Sequence, residues 1–378
     1  MKARRLIALG LLLLLVCGCR IDPPLYLKRP VEVDVVLDAN VELDVMWQIH
    51  WEELWEFQWN TAILGPLGYE EPASMRLHAY ALDENDRFLS HQTYNFMGHS
   101  GRLSIYPGYY GFLFHNNDSE ANLFESKGDL EDIYAYTRKI SSGLQSSSGI
   151  QTLQQKALTK APETYDPSND PVVLAPDGLF SFFKPKEWIS GNLEDYEYID
   201  GHYVYRIEGK LRPVTFIYLI QVRLHNNNGR VVGSAGGAVV TGMAEKTNLH
   251  TGETVTDVVS VPLDVRINKA ADPDLLGARV LTFGIPGCNP YDPASVEAAP
   301  HVPHFFVLSV SYSDGGYKNI RIDITDQVRA LPTGGVIQLE LDVDDFPPDP
   351  EPQPGGGGGF DALIGGWNEQ TGSQTIIS

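Results

Sequence analysis

The chain has 378 residues, of which 49 are acidic and 28 are basic, so its formal net charge is −21. A surface this acidic repels nucleic acid and anionic lipid, and we therefore expect no nucleic acid partner. The length and the apolar content are sufficient for two domains with cores of ordinary size.

The N-terminus has the features of a signal peptide. Three basic residues precede an apolar run over residues 6–16, which is shorter than the ~20 apolar residues that a membrane-spanning helix needs. The run leads into Val16-Cys17-Gly18-Cys19, which resembles the lipobox of bacterial lipoproteins. The resemblance implies cleavage after Gly18 and lipidation of Cys19 with diacylglycerol and palmitate. Two or three acyl chains hold a protein on a membrane essentially permanently, since each buried methylene contributes about 0.8 kcal/mol.

Two alternatives stay open at this segment. It could be an ordinary secretory signal that is cut at a nearby small residue, or Cys17 could be the lipidated residue, although Val16 is a poor residue to precede it. In the lipoprotein interpretation the mature chain loses three basic residues, which leaves 25 against 49 acidic ones and a net charge of −24. Cys288 is then the remaining thiol, so no intrachain disulfide can form, and we expect it to be partly buried and unreactive.

The mature chain opens with a tether and then changes to strand patterns. Pro23, Pro24 and Pro30 lie in the first residues after Cys19, which is typical of an extended segment. Apolar residues then alternate over residues 31–37 and 41–51. This period of two predicts strands with one buried face.

Four tryptophans, Trp47, Trp51, Trp55 and Trp59, follow one another at a spacing of four. That spacing fits one face of a helix as well as one face of a strand, and beyond Trp51 the two cannot be separated. Large aromatic side chains most often close a core. The alternative is an exposed row of rings that stacks on sugars, in which case these four residues form a glycan-binding site.

Two hairpins are predicted next. Residues 75–82 and 87–94 alternate on either side of a polar turn, and residues 101–106 and 109–114 flank Pro107-Gly108. Residues 140–170 show little periodicity and are predicted to be a linker. A second β-sandwich is predicted beyond it, because alternation is strict from residue 214 to residue 224 and a hairpin turn separates residues 304–312 from 317–324.

Several of these segments resemble one group of proteins. The second hairpin reads Gly-x-Leu-x-Ile-x-Pro-Gly-x-Tyr from Gly101 and ends in Asn116-Asn117-Asp118; similar segments are Asp132–Arg138, Ala175–Phe180 and Asp323–Gln327. This set resembles Bacteroidales lipoproteins related to the anchors and minor subunits of type V (FimA-type) fimbriae. The resemblance implies transthyretin-like sandwiches and a role in fimbrial assembly or surface adhesion. It also implies fimbrial subunits, or host or bacterial surface ligands, as partners.

The C-terminal part combines a Pro/Gly-rich stretch, residues 346–359, with a final segment, residues 360–378, that recovers apolar residues. Three interpretations stay open for the final segment. It could be a disordered tail, an edge strand that returns through Trp367, or a terminal strand offered to another subunit.

No motif for catalysis or metal binding emerges. His301 and His304 are three apart, but Pro303 between them excludes a helical pair, and the acidic runs at 272–274 and 342–345 lack the glycine and the final glutamate of a calcium loop. Nucleophile-elbow, P-loop and zinc-protease motifs are missing from the sequence. We therefore expect no catalytic residue, no metal and no cofactor. A hydrolase is the third alternative, because a catalytic carboxylate pair has no readable spacing.

These patterns predict an all-β protein with two tandem antiparallel β-sandwich domains after a lipoprotein signal peptide. The expected function is non-enzymatic, namely fimbrial assembly or adhesion through strand addition by a protein lipid-anchored to the outer membrane at the cell surface, with glycan binding as the alternative. The predicted segments are the signal peptide 1–18, the tether 19–30, the N-terminal domain 31–139, the linker 140–170, the C-terminal domain 171–345, the loop 346–359 and the C-terminal segment 360–378.

Overall fold

The computed structural model describes residues 31–39, 51–98, 100–126, 132–141, 170–269 and 273–346; for 31–39 it describes the backbone. The predicted signal peptide, tether and C-terminal segment lie outside these residues, as do most of the predicted linker and nearly all of the Pro/Gly-rich loop. Within the described ranges the structure is almost entirely β, which confirms the predicted fold class.

The described residues form nineteen strands and three short helices that are numbered below, besides a helical turn over residues 51–54 and 3-10 turns at Leu193–Asp195 and Val343–Asp345. Strands β1 to β7 are Val31–Ala39, Ser74–Leu82, Phe88–Met97, Ser100–Ile105, Gly108–Asn116, Asn122–Ser126 and Ile133–Thr137. Strands β8 to β13 are Phe180–Ile189, Glu197–Ile199, His202–Pro213, Phe216–His225, Val231–Ala244 and Lys246–Asn248. Strands β14 to β19 are Val258–Leu263, Val265–Asn268, Asp274–Thr282, Phe305–Tyr312, Tyr317–Asp323 and Gly335–Asp342. Helices α1 to α3 are Thr61–Leu64, Pro293–Ala298 and Thr325–Ala330.

Two four-stranded sheets, β15-β16-β11-β19 and β14-β12-β17-β18, form the C-terminal sandwich. Its core lies between them, where Tyr218 and Ile220 of β11 pack with Val240 of β12 and Phe306 of β17. The predicted hairpin is present, because β17 and β18 pair in antiparallel register from Phe305↔Asp323 onward. The alternation of apolar residues in β11 thus correctly predicted which of its side chains face the sandwich core.

The outer face of β11 is covered by residues 51–59, although these precede β2 in the chain. Trp55 and Phe57 pack on the apolar residues that β11 turns away from the sandwich core. Gln221 is buried among them, and its Oε1 accepts hydrogen bonds from the backbone N–H groups of Glu56 and Phe57 at 2.7 and 3.0 Å. A continuous apolar strand such as β11 is typical of a sheet that is buried on both faces.

The N-terminal sheet has the order β3-β2-β5-β8-β10-β1-β4, and β9 pairs with β10. It folds over a single core, in which Phe112 and Phe114 of β5 pack with Leu103 of β4 and Ile207 of β10. Most neighbouring strands are antiparallel, whereas β1 and β10 run parallel from Val33↔Tyr205 onward. The sheet therefore folds over into a sandwich, with β3 and β4 as its two edge strands.

Strand pairing crosses the domain boundary predicted at residue 171. Strands β8 and β10 follow the predicted linker, yet they pair with β5 and β1 of the N-terminal sheet. The partner of a strand is set by the topology of the whole sheet. A local sequence pattern therefore does not identify it. The predicted boundaries stay a prediction.

A third layer connects the two parts. Strands β13, β7 and β6 form a small sheet, here called the bridging sheet, in which Lys246–Asn248 of the C-terminal region pairs with Ile133–Thr137. It packs on the outer face of the N-terminal sheet, where Ile133 and Ala135 contact the buried cluster that contains Tyr80 and Leu113. The bridging sheet thus ties the N-terminal sheet to the C-terminal sandwich.

The contact between Phe57 and Gly277 of β16 gives a test of how residues 51–59 are seated. A Cβ atom at residue 277 would lie 2.4 Å from Cγ of Phe57, whereas a Cβ at Gly233 of β12 would meet its nearest neighbour at 4.0 Å. We expect Gly277→Ala to lower the free energy of unfolding by about 1–3 kcal/mol, because the ring has to move. Urea denaturation measures the effect, and Gly233→Ala is the matched control. Equal effects of the two substitutions would contradict this packing.

Candidate functional site

Strand β3 is an open edge of the N-terminal sheet. It pairs with β2 over the whole strand, from Ser74↔Met97 to Leu82↔Phe88, with one bulge at its start. In the described part of the chain no strand pairs with its other side. Most of its side chains are exposed, including Phe88 at 49% and Met97 at 85%. A row of unpaired backbone N–H and C=O groups is a template for a further strand.

The composition of β3 sets it apart from the other edges. Its sequence, FLSHQTYNFM, contains no proline, aspartate, glutamate, lysine or arginine. Natural edge strands are usually protected from pairing by such residues. The remaining sheet edges carry them: Arg102 in β4, Glu125 in β6, Lys246 in β13, Pro262 in β14, Arg266 in β15, Lys318 in β18 and Glu340 in β19. Among the edge strands of these four described sheets, β3 is thus the one without a protecting residue.

An aromatic row crosses the outer face of the same sheet. The strand registers place Phe88 opposite Leu82, Leu82 opposite Tyr109, and Tyr109 opposite Trp188. Trp188 is 50% exposed, and its ring centroid lies 4.6 Å from that of Tyr109. Lys186 lies over the Tyr109 ring, with Nζ 4.6 Å from the centroid. These rings form a small exposed apolar surface next to a charged side chain.

Three histidines form a hydrogen-bonded chain that begins on β3. His78 Nδ1 lies 2.9 Å from His91 Nε2, His78 Nε2 lies 3.1 Å from His115 Nε2, and His115 Nδ1 lies 2.8 Å from the carbonyl oxygen of Asn116. A carbonyl only accepts, so His115 carries its proton on Nδ1 and accepts from His78, which in turn accepts from His91. All three rings are neutral in this arrangement, and the nitrogen left without a partner in the chain is Nδ1 of exposed His91.

Burial keeps these rings neutral at pH 7. The pKa of His78 falls to about 3, because the ring is buried and because His115, His91 and Arg76 lie close to it. The pKa of His115 falls to about 4, since burial lowers it more than the hydrogen bond to the Asn116 carbonyl raises it. Partial burial also lowers the pKa of His91. The three histidines and Phe124 line a cavity of about 310 Å³.

The chain of imidazoles is not a metal site. His78 directs its two nitrogens to two different neighbours, so the lone pairs do not converge on one point. Across the described ranges, no group of three or more His, Cys, Asp or Glu side chains is arranged to hold a metal ion.

A larger cleft of about 960 Å³ lies between Tyr69, Asp177 and Arg279. Two of its charged groups, Asp177 and Arg279, are used within the protein. One carboxylate oxygen of Asp177 accepts three hydrogen bonds at 2.9–3.0 Å, from the Ser119 hydroxyl and from two backbone N–H groups. Arg279 donates to the carbonyl oxygens of Leu67 and Gly68. Asp177 and Arg279 thus hold neighbouring loops in place. No residue of β3 lines this cleft.

The three tryptophans of the predicted row that the structure describes do not form an open platform. Trp55 is 9% exposed, and Trp51 and Trp59 are partly buried around it, against the outer face of β11. Trp47 lies outside the described residues. The rings close a core, which is the arrangement that the sequence favoured over sugar stacking.

Of the other residues singled out in the sequence, His301, His304 and Cys288 lie in the described part of the chain. His304 is buried, and burial lowers its pKa to about 4, while His301 is exposed. Cys288 is buried, and burial raises the pKa of its thiol to about 11, as expected for an inert cysteine. Cys19, the predicted lipidation site, lies outside the described residues.

Sequence reasoning missed the histidine chain and the exposed Trp188. The histidines come from β2, β3 and β5, which are neighbours in the sheet, but they are 13 and 24 residues apart in the sequence, and no regular spacing signals them. The lack of charge in residues 88–97 was readable. It acquires a meaning only once β3 is known to be an edge.

The comparisons with known proteins are as follows. The family model described as "Domain of unknown function (DUF5119)" matches residues 56–264, which is more than half of the chain. No curated protein sequence matches it. Among the described residues, no helix has the length and apolar character needed to cross a lipid bilayer.

Several solved structures are similar to this chain. A candidate adhesin from Bacteroides ovatus is 17% identical with a TM-score of 0.48, over 85% of this chain and 94% of that one. A candidate polysaccharide-binding protein (DUF1812) from Bacteroides thetaiotaomicron is 8% identical with a TM-score of 0.43, over 82% and 91%. The fimbrial anchor protein Mfa2 from Porphyromonas gingivalis is 12% identical with a TM-score of 0.39, over 83% and 90%.

Proposed function

We propose that this chain, which belongs to the family described as "Domain of unknown function (DUF5119)", is a lipid-anchored cell-surface protein that acts in adhesion or fimbrial assembly. In this proposal it pairs the open edge of β3 with an extended segment of another protein. The single observation that carries the proposal is that β3 lacks every residue type that protects the other described sheet edges.

Strand addition uses groups that β3 already presents. Backbone N–H and C=O groups on its free side bind the incoming strand, and each hydrogen bond contributes about 0.5–1.5 kcal/mol. The partner's alternate side chains then contact the outer face beside His91 and Thr93 or the inner face beside Tyr94. No catalytic group is required for this function.

The anchor is proposed to act through Cys19 and the tether. Eleven residues separate Cys19 from Val31, the first residue of β1, and n extended residues span at most ~3.3–3.6 Å each. Strand β1 lies between β4 and β10 in the N-terminal sheet. A load on the tether is therefore carried by two ladders of main-chain hydrogen bonds, because the tethered strand is paired on both sides.

Substitution of the proposed lipidation site tests the anchor. We expect Cys19→Ala to abolish incorporation of a labelled fatty acid and to release the protein from the membrane fraction, because no thiol remains at the lipobox position. Cys17→Ala is the matched control and should retain both properties. If Cys17→Ala loses the label and Cys19→Ala keeps it, the anchor is assigned to the wrong cysteine.

Photo-crosslinking tests the open edge in the producing cell. A photoreactive residue in place of exposed Gln92 of β3 should crosslink to an extended segment of an envelope protein, which peptide mass spectrometry identifies. Thr93→Lys should reduce that crosslink at least tenfold, since a charge on the edge disfavours pairing. Ser104→Lys, on the already charged strand β4, is the matched control. A crosslink insensitive to Thr93→Lys would argue against strand addition, as would its absence.

Glycan binding remains the second candidate function, because Trp188 presents a half-exposed ring that packs against the partly buried ring of Tyr109. We expect Trp188→Ala to abolish retention of the mature protein on an array of purified glycans, since the stacking surface is removed. Tyr198→Ala, which removes a ring that is 65% exposed elsewhere on the same sheet, is the control. Retention that survives Trp188→Ala, or no retention by the unaltered protein, would count against this candidate.

A further inference from the structure

A fourth histidine, His250, lies close to the imidazole chain without a hydrogen bond to it. His250 follows β13 of the bridging sheet, is 9% exposed, and lies against the N-terminal sheet, with its ring centroid 4.6 Å from that of Phe183 and 5.7 Å from that of Tyr80. His78 and His115 are 8% and 1% exposed. Three buried histidines therefore lie where the bridging sheet meets the N-terminal sheet.

The cover over the histidines is apolar. Phe124 of β6 packs on the ring of His115, with centroids 4.7 Å apart, and Ile133 of β7 lines the same cavity. Leu249, next to His250, belongs to the buried cluster that spans the junction. The contact between the two layers depends on these rings staying uncharged, since an unpaired charge is expensive to bury.

Among the described residues that line the cavity, no carboxylate is left to pair with a positive charge. Neither ring nitrogen of His250 has a hydrogen-bond partner. Arg76 adds positive charge from β2, and Glu125 on β6 is already paired with Lys246 of β13 at 2.7 Å. Tyr80 is neutral, because burial raises the pKa of its hydroxyl.

The chain of hydrogen bonds also resists a second proton. Exposed His91 can take one proton on its unpartnered Nδ1 without breaking a hydrogen bond. A proton on either nitrogen of His78 or His115 that now accepts would place two donors against each other at 2.9–3.1 Å. Once His91 is charged, a further proton in the chain therefore costs a hydrogen bond, which water can replace when the layers separate.

We infer that His78, His115 and His250 form an acid-sensitive latch that holds the bridging sheet on the N-terminal sheet. In mildly acidic solution the latch opens, and the bridging sheet leaves the outer face of the N-terminal sheet while the core of the C-terminal sandwich stays folded.

The direction follows from proton linkage. In the closed form burial lowers the pKa of His250 to about 4, while the exposed imidazole of the open form has the ordinary value of 6.5. The open form binds more protons, so the latch is closed above pH 6.5 and weakens as the pH falls towards 4. At pH 5 each such histidine multiplies the opening equilibrium constant by about 30-fold.

Hydrogen exchange of the mature chain, followed by mass spectrometry and corrected for the intrinsic effect of pH, tests the latch. Between pH 7.5 and pH 5 we expect peptides from β6, β7 and β13 to lose protection, while peptides from β11 and β17 keep theirs. Simultaneous loss in both sets would show global acid unfolding and overturn the proposal. Unchanged protection in the bridging sheet would do the same.

A leucine in place of His250 sharpens the test, because the ring nitrogens make no hydrogen bond that leucine would lose. We expect His250→Leu to reduce the acid-induced opening at pH 5 by up to about 30-fold. His304→Leu, the same change at a buried histidine of the C-terminal sandwich, should leave the opening as it is. If both substitutions act alike, the effect does not arise at the junction. Should His250→Leu fail to fold, the exchange pattern of the unaltered protein still decides.

Discussion

Both faces of β11 must be removed from water, and the arrangement of the two halves of the protein follows from that requirement. Tyr218 and Ile220 face the sandwich core, while Ile217 and Leu219 face the other way. The second sheet of the sandwich covers the first set, and residues 51–59 cover the other. The segment between β1 and β2, two strands of the N-terminal sheet, is thereby fixed to the C-terminal sandwich.

The strands of the C-terminal sandwich could be predicted because each reports its own buried face. Alternation from residue 214 to residue 224 contains β11, and the turn Ser313-Asp314-Gly315-Gly316 joins β17 to β18 as expected. The segment around Trp55 could not be assigned, since a spacing of four suits helix and strand. It is helical over residues 51–54 and irregular beyond. Pairing of β1 with β10 left no local trace in the sequence.

The candidate site, too, could be predicted from the sequence only in part. The uncharged stretch over residues 88–97 is visible in the sequence, but the identity of the edge strand depends on the order of eight strands. The histidines at 78, 91, 115 and 250 look unrelated until three strands and a loop converge. Cooperation between distant residues of this kind depends on topology, which hydrophobic periodicity does not encode.

The parallel pairing of β1 has a consequence for the order of folding. Residues 33–39 are matched with residues 205–211, so the N-terminal sheet cannot close until more than half of the chain has been synthesised. Contacts between residues so far apart in sequence are slow to form, because the intervening chain has to be ordered first. Until then β1 has β4 as its neighbour on one side only. One edge of β1 is therefore open to pairing with the strands of other chains during the interval between the synthesis of β1 and that of β10.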